Sequence, residues 1–194
     1  MGTRHLALLR GINVGGNNLI PMVKLREAFE ALGFGEVRTY IASGNVVFSA
    51  AKAPSREAIE AMLAKRFSYS AKVVLLTAAQ LGRAVAEAPR GFGKQPARFR
   101  YDVLFARAPV TAKQVLPQLS VKAGVDEVSA GTHALYFRRL IAKASQSRLP
   151  KLMGLAVYKD LTVRTWNTTT ALLDLLTQRE RRPPVASDRA RRLR

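Results

Sequence analysis

Stretches with a strand period and stretches with a helix period follow one another in the same order twice along this chain. HLALLRGI (5–12) reads as a strand. PMVKLREAFEALGF (21–34) sets Met22, Leu25, Phe29 and Leu32 at helical spacing, with Pro21 at its start and Gly33 past its end. EVRTYIA (36–42) alternates, SGN turns the chain, and VVFSA (46–50) returns as the second arm of a hairpin. PSREAIEAMLAKRF (54–67) carries Ile59, Leu63 and Phe67 on one stripe. KVVLL (72–76) is a strand, and AAQLGRAVAEA (78–88) is a further helix with Leu81, Val85 and Ala88 inward.

After the Gly-, Pro- and base-rich stretch 89–99 the order recurs. A strand spans 101–107, and Pro117 shortens a helix over 111–119. VDEVS and HALYFRR pair about Gly131, a short helix covers 146–154, and a strand spans 161–166. NTTTALLDLLTQRERR (167–182) closes the unit, capped by Asn167 or Thr168, with Leu172, Leu175 and Leu176 inward. The fold expected is α+β: two tandem ferredoxin-like βαββαβ(α) halves from an internal duplication. Residues 1–88 and 100–180 form the halves, 89–99 the linker and 181–194 an Arg-rich tail expected to be disordered. A small echo joins the copies: Tyr69 stands three residues before Lys72, and Tyr158 three before Leu161. Each half leaves one sheet face uncovered by its own helices, to be buried against the other or against a second copy of the chain.

Composition narrows the chemistry. With 194 residues and 48% hydrophobic content, the chain can bury a core without staples. The absence of Cys excludes disulfides, thiolate metal sites and Cys nucleophiles. No apolar run approaches a membrane span, and the N-terminus has no signal-peptide pattern, so a cytoplasmic protein is expected. The two His carry no carboxylate spacing that would make a metal site, and no His stands near Ser43 in a G-x-S-x-G pattern. Asp102, within a strand, is expected at a sheet edge or paired with an Arg, and Trp166 is expected as a core anchor. No cofactor is expected.

The net charge is +19, of which residues 179–194 supply seven Arg against two acids. Such a surplus attracts polyanions without base readout, so weak, non-specific nucleic-acid binding is expected, carried mostly by the tail.

RGINVGGNN (10–18) packs three Gly and three Asn ahead of a helix. It fits neither a P-loop nor a dinucleotide fingerprint. In a ferredoxin-like unit this loop, the SGN turn and the loop carrying Tyr69 leave the same end of the sheet. The expected site is therefore Arg10, Asn13, Gly15, Gly16, Asn17, Ser43, Gly44 and Asn45, with Lys24 and Tyr40 nearby. It would hold an anionic or polar ligand or partner without catalysis. The competing account is a set of structural turns, with Gly supplying positive φ and Asn capping. The rival functions are nucleic-acid binding and an enzyme using Arg, Asn and Ser chemistry without a metal.

LLRGINVGGNNLIPMVKLREAFEALGF, VRTYIASGNVVFS and YKDLTVRTWNTTTALLDLL closely resemble the bacterial family called domain of unknown function 1697, over about residues 4–178. The resemblance implies an α+β fold of ferredoxin-like halves and no established reaction, cofactor or catalytic residue. Ala42 stands where that family has Gln, and Thr165 where it has Asn.

Overall fold

The structure is a computed structural model that describes residues 2–13 and 18–178. Gly15, Gly16, Asn17 and the tail lie outside the described residues. Two four-stranded antiparallel sheets and their helices make a mixed α/β fold. In the first sheet, β1 (Thr3–Arg10) lies between β3 (Asn45–Ala50) and β4 (Lys72–Thr77), and β2 (Gly35–Tyr40) pairs with β3. In the second, β5 (Phe99–Ala106) lies between β7 (Ala134–Leu140) and β8 (Leu161–Thr165), and β6 (Asp126–Ala130) pairs with β7. The two orders correspond strand for strand.

Alternation along β1 sends Leu6 and Leu8 to one core and Ala7 and Leu9 to another. The outer core lies under α1 (Met22–Glu30) and α2 (Arg56–Phe67), which bury Leu25 and Phe29, and Ile59 and Leu63. Leu32, on the expected stripe, is exposed because α1 stops at Glu30. The inner core joins the two sheets. Leu6, Leu8 and Val74 meet Tyr101, Val103, Phe105 and Tyr136, with α3 (Ala78–Ala86) and α5 (Trp166–Thr177) between them. The inner faces of the two sheets are thus covered by α3, α5 and each other together, where burial against the other half or a second copy was expected. Tyr136 ties β7 to α3 by donating to Ala84 O at 2.6 Å, and burial pushes its phenol up to about 12.

The stretch 89–99 is more than a connector. Phe92 is buried in the inner core, edge-on to Tyr101, Tyr136 and Trp166. Trp166 is the expected anchor in this cluster, half-buried. The helix expected over 111–119 is α4 (Ala112–Val115) followed by a 3-10 turn over Leu116–Gln118, where Pro117 ends it. The helix expected over 146–154 is a 3-10 turn, Leu149–Gly154: Pro150 cannot donate to Gln146 O as a helix begun at 146 requires, and it sits instead in the first turn, where its missing N–H costs nothing. The cap of α5 is Thr165, whose hydroxyl accepts from Thr168 N at 3.3 Å, in place of Asn167 or Thr168. Thr and Asn both cap well, so Thr165 keeps the cap that the family's Asn would supply there. Among the described residues no helix is long and apolar enough to cross a membrane.

Candidate functional site

β1 and β3 run antiparallel, so the loop after β1 and the turn before β3 meet at one sheet end. Asn13 closes that meeting from a left-handed backbone (φ 52). Its amide nitrogen donates to Ile20 O (3.0 Å) and Ala42 O (2.8 Å), and its amide oxygen accepts from Ile20 N (2.7 Å). Asn18 donates to Gly11 O at 3.0 Å. The bond to position 42 goes to backbone, so Ala42, its side chain exposed, preserves it where the family has Gln.

Asn45 is fully buried. It donates to Tyr40 O (2.9 Å) and Ser43 Oγ (3.0 Å). Gly44 turns at φ 76, and a Cβ there would lie 2.9 Å from both Leu9 Cβ and Ile12 Cγ1. The glycine is required by handedness and by space.

The acceptor of Asn45 is taken by Arg164 of β8, a residue the sequence reading did not single out. Its Nε donates to Asn45 Oδ1 at 2.6 Å. One terminal nitrogen donates to Leu9 O (2.9 Å), Ser43 O (2.8 Å) and Gly44 O (3.3 Å), and the other to Val163 O (2.8 Å). Arg164 is 9% exposed, and burial pulls its guanidinium down to about 10, which leaves it charged at neutral pH. Among the described residues no carboxylate pairs with it, so oxygen dipoles alone solvate the charge. The expected site and the second half are therefore one joint.

Both echo tyrosines close on Arg10 at this joint. Tyr69 donates to Arg10 O at 2.6 Å, and the Arg10 guanidinium lies 4.5 Å from the centre of the Tyr158 ring. Lys24 stands apart on α1, exposed and paired with Glu27 at 3.1 Å. Tyr40 packs its ring against the inner core. The described side-chain amides of the expected site are thus turned inward on the chain, as structural turns require. Among the described residues the edge exposes three large apolar side chains, Leu19 at 72%, Val23 at 57% and Ile41 at 52%, beside the exposed Asn18. Ile41 holds φ 46, a conformation that costs a β-branched residue free energy.

Further joints link the halves. Arg107 forks onto Glu60 at 2.9 and 2.8 Å, and Glu87 accepts from Thr132 N (2.6 Å) and its hydroxyl (2.8 Å).

Asp102 is on the central strand β5, not at a sheet edge, and Arg139 of β7 is its ion-pair partner at 3.5 Å. Burial pushes its carboxyl up, against the pull of Arg139 and Arg100. Its Oδ2 is sealed from solvent without a hydrogen-bond donor.

Charge on the body is uneven. Residues 90–151 hold twelve Lys and Arg against three acids. Asp102 and Asp126 are buried, and Glu127 is paired with Arg138. Arg100 of β5 stands opposite Arg139 of β7, and Arg138 stands opposite Tyr101. Arg98 and Arg138 stack on the Phe99 ring at 5.0 and 4.5 Å from its centre. Among the described residues no group of three or more His, Cys, Asp or Glu could hold a metal ion.

Comparison with known proteins agrees with this architecture. The chain is similar over 91% of its length, with 25% identity and a TM-score of 0.80, to the solved structure of the conserved bacterial protein SP0830 from Streptococcus pneumoniae, 99% of which is covered. A search of curated proteins gave no match. The model of the family described as Protein of unknown function (DUF1697) matches residues 2–136. That is well over half of the sequence, and the chain belongs to this family.

Proposed function

We propose that the protein binds polyanions, nucleic acid first among them, through the basic surface of its second half, without catalysing a reaction. The observation that carries this is the uncompensated charge of residues 90–151, whose three acids are buried or paired. Exposed Lys94, Arg98, Arg100 and Lys143 offer phosphate contacts. With Phe99 capped by two guanidiniums, base stacking contributes little, so binding is sequence-independent. Residues 179–194 add seven Arg to the same attraction.

Fluorescence anisotropy with mixed oligonucleotides across a salt series tests the reading. Each duplex phosphate contact contributes about −0.9 to the slope of log K against log salt. The triple variant Lys94→Glu, Arg98→Glu, Lys143→Glu flattens the slope by about 2–3. A chain ending at Gln178 keeps salt-dependent binding with a shallower slope. Unchanged binding in the triple variant, with all of it lost on truncation, would return the function to the tail.

A second reading keeps the edge near residues 13–18 and 43–45 as a partner surface in the cytoplasm. The strained, exposed Ile41 beside Leu19 and Val23 favours it. Ile41→Asp abolishes such a partner's binding and leaves oligonucleotide binding intact.

We also infer that the halves are tandem copies of one ferredoxin-like plan. Matching strand orders and the paired positions of α3 and α5 support a duplication. The second copy would then have lost its second helix to 3-10 turns.

A further inference from the structure

β4 is an edge strand of the first sheet, and its outward backbone groups are stopped at both ends but not in the middle. The register with β1 turns the N–H groups of Val73, Leu75 and Thr77 away from that strand. Val73 N–H donates to Glu60 Oε1 and Thr77 N–H to Gln80 Oε1, each at 2.9 Å. Among the described residues the N–H and C=O of Leu75 have no partner. An edge left open in this way is a template for another strand, which is why proteins ordinarily blunt it.

The open rung faces a cavity of about 320 Å³ between the halves. Val73 to Leu76 form one wall, and Ala108, Pro109 and Val110, after β5, form the other. Arg56 reaches from α2 to Ala108 O at 2.7 Å and ties the two walls together. A strand takes about 4.8 Å across, about 10 Å through its side chains and about 3.3 Å along per residue, so the cavity holds roughly two residues. An antiparallel strand satisfies both Leu75 groups through one residue, whereas a parallel strand spreads the same bonds over three.

We propose that this edge docks an extended, acidic and apolar segment of another protein, added antiparallel to β4 opposite Leu75. The apolar walls call for apolar side chains. Charge selects the source. Arg56, which also pairs with the exposed Glu57, lines the cavity, no Asp or Glu among the described residues does, and the chain carries +19. A second copy brings the same +19, and residues 179–194 hold seven Arg, so neither complements the site. Polyanion binding needs no strand edge, so this goes beyond that reading and the two fail in separate experiments.

Amide exchange followed by NMR on the full chain reads the rung directly. In the free protein the Leu75 amide exchanges faster than those of Val74 and Leu76, which face β1 in the ladder. The probe is the capped peptide acetyl-EVVVE-amide, with acetyl-KVVVK-amide beside it. At about ten times its Kd the acidic peptide slows Leu75 exchange about tenfold. The basic peptide binds about threefold more weakly. Leu75→Pro removes the outward N–H and spares the bonds to β1, as an edge strand tolerates. It weakens the acidic peptide at least about fivefold and leaves oligonucleotide affinity unchanged. Absence of saturable peptide binding, binding without protection of Leu75, equal binding of the two peptides, or undiminished binding by Leu75→Pro overturns the proposal. So does a Leu75 amide already protected in the free chain: release on truncation at Gln178 assigns the edge to the tail, and release on dilution assigns it to a second copy. Should Leu75→Pro fail to fold, exchange in the wild-type chain decides alone.

Discussion

Replacing Arg164 by Met removes the donor that joins the two halves at the loop edge and roughly preserves side-chain volume. Gly44 O keeps the Leu9 N–H at 2.8 Å, so it is not orphaned. Asn45 Oδ1, fully buried, and Ser43 O lose the donors the structure gives them. A buried acceptor left unsatisfied costs about 1–3 kcal/mol. Met also removes a buried charge that was itself costly, which offsets part of the loss. The net destabilisation is about 2–4 kcal/mol. For a chain of this size 1 kcal/mol moves Tm by about 2–4 °C, so Tm falls by roughly 4–16 °C. Differential scanning calorimetry on wild type and variant measures it. Arg164→Lys does no better than Met, because one ammonium cannot reach both Asn45 Oδ1 and the Ser43–Gly44 turn in the fork geometry. Below its Tm the Met variant keeps full oligonucleotide affinity. A Tm change under about 2 °C would refute the claim that the joint is structural.

Other perturbations follow from the same contacts. Gly44→Ala forces a Cβ against Leu9 and Ile12 at positive φ and costs about 2–4 kcal/mol by urea unfolding, combining strain and overpacking. Ile41→Asn relieves a left-handed β-branched residue and raises stability by about 1 kcal/mol in the same assay. Gly93→Ala drives a Cβ into Trp166 Nε1 at φ 81 and shifts the emission maximum of the sole tryptophan. Asp102, its folded carboxyl pushed up by burial, binds its proton more tightly folded than unfolded. Its contribution is therefore present below the ordinary Asp range and lost as pH rises through the raised value. The Tm of wild type minus that of Asp102→Asn accordingly falls as pH rises through that window, and a flat or rising difference contradicts the sign.

Strand and helix periods made the two sheets legible in the sequence, because each strand faces a core on at least one side and repeats its pattern faithfully. The same reasoning brought the loop after β1 and the SGN turn together, since strand direction alone decides which ends meet. It did not reach Arg164. A lone Arg in LTVRTW looks like an outward residue of a half-buried strand, and only the packing of one sheet's edge onto the other turns it inward. Phe92 was hidden for a similar reason: Gly and Pro around it signal a connector, and local signals carry no information about a distant core. Asp102 was visible as an anomaly within a strand. Its central position and its pairing with Arg139 needed the strand order. The 3-10 turns after β7 were half-legible, since Pro150 forbids a regular helix but does not say what replaces it.

The most direct test of where this protein binds is lysine footprinting with and without a mixed oligonucleotide at low salt. Lys94, Lys143 and Lys151 lie on the second half and are exposed, whereas Lys24, Lys52 and Lys65 are exposed on the first. The account predicts protection of the first three and unchanged labelling of the others. Protection of Lys24, Lys52 or Lys65 with Lys94, Lys143 and Lys151 labelled as in the free protein would contradict it and move the binding surface to the first half.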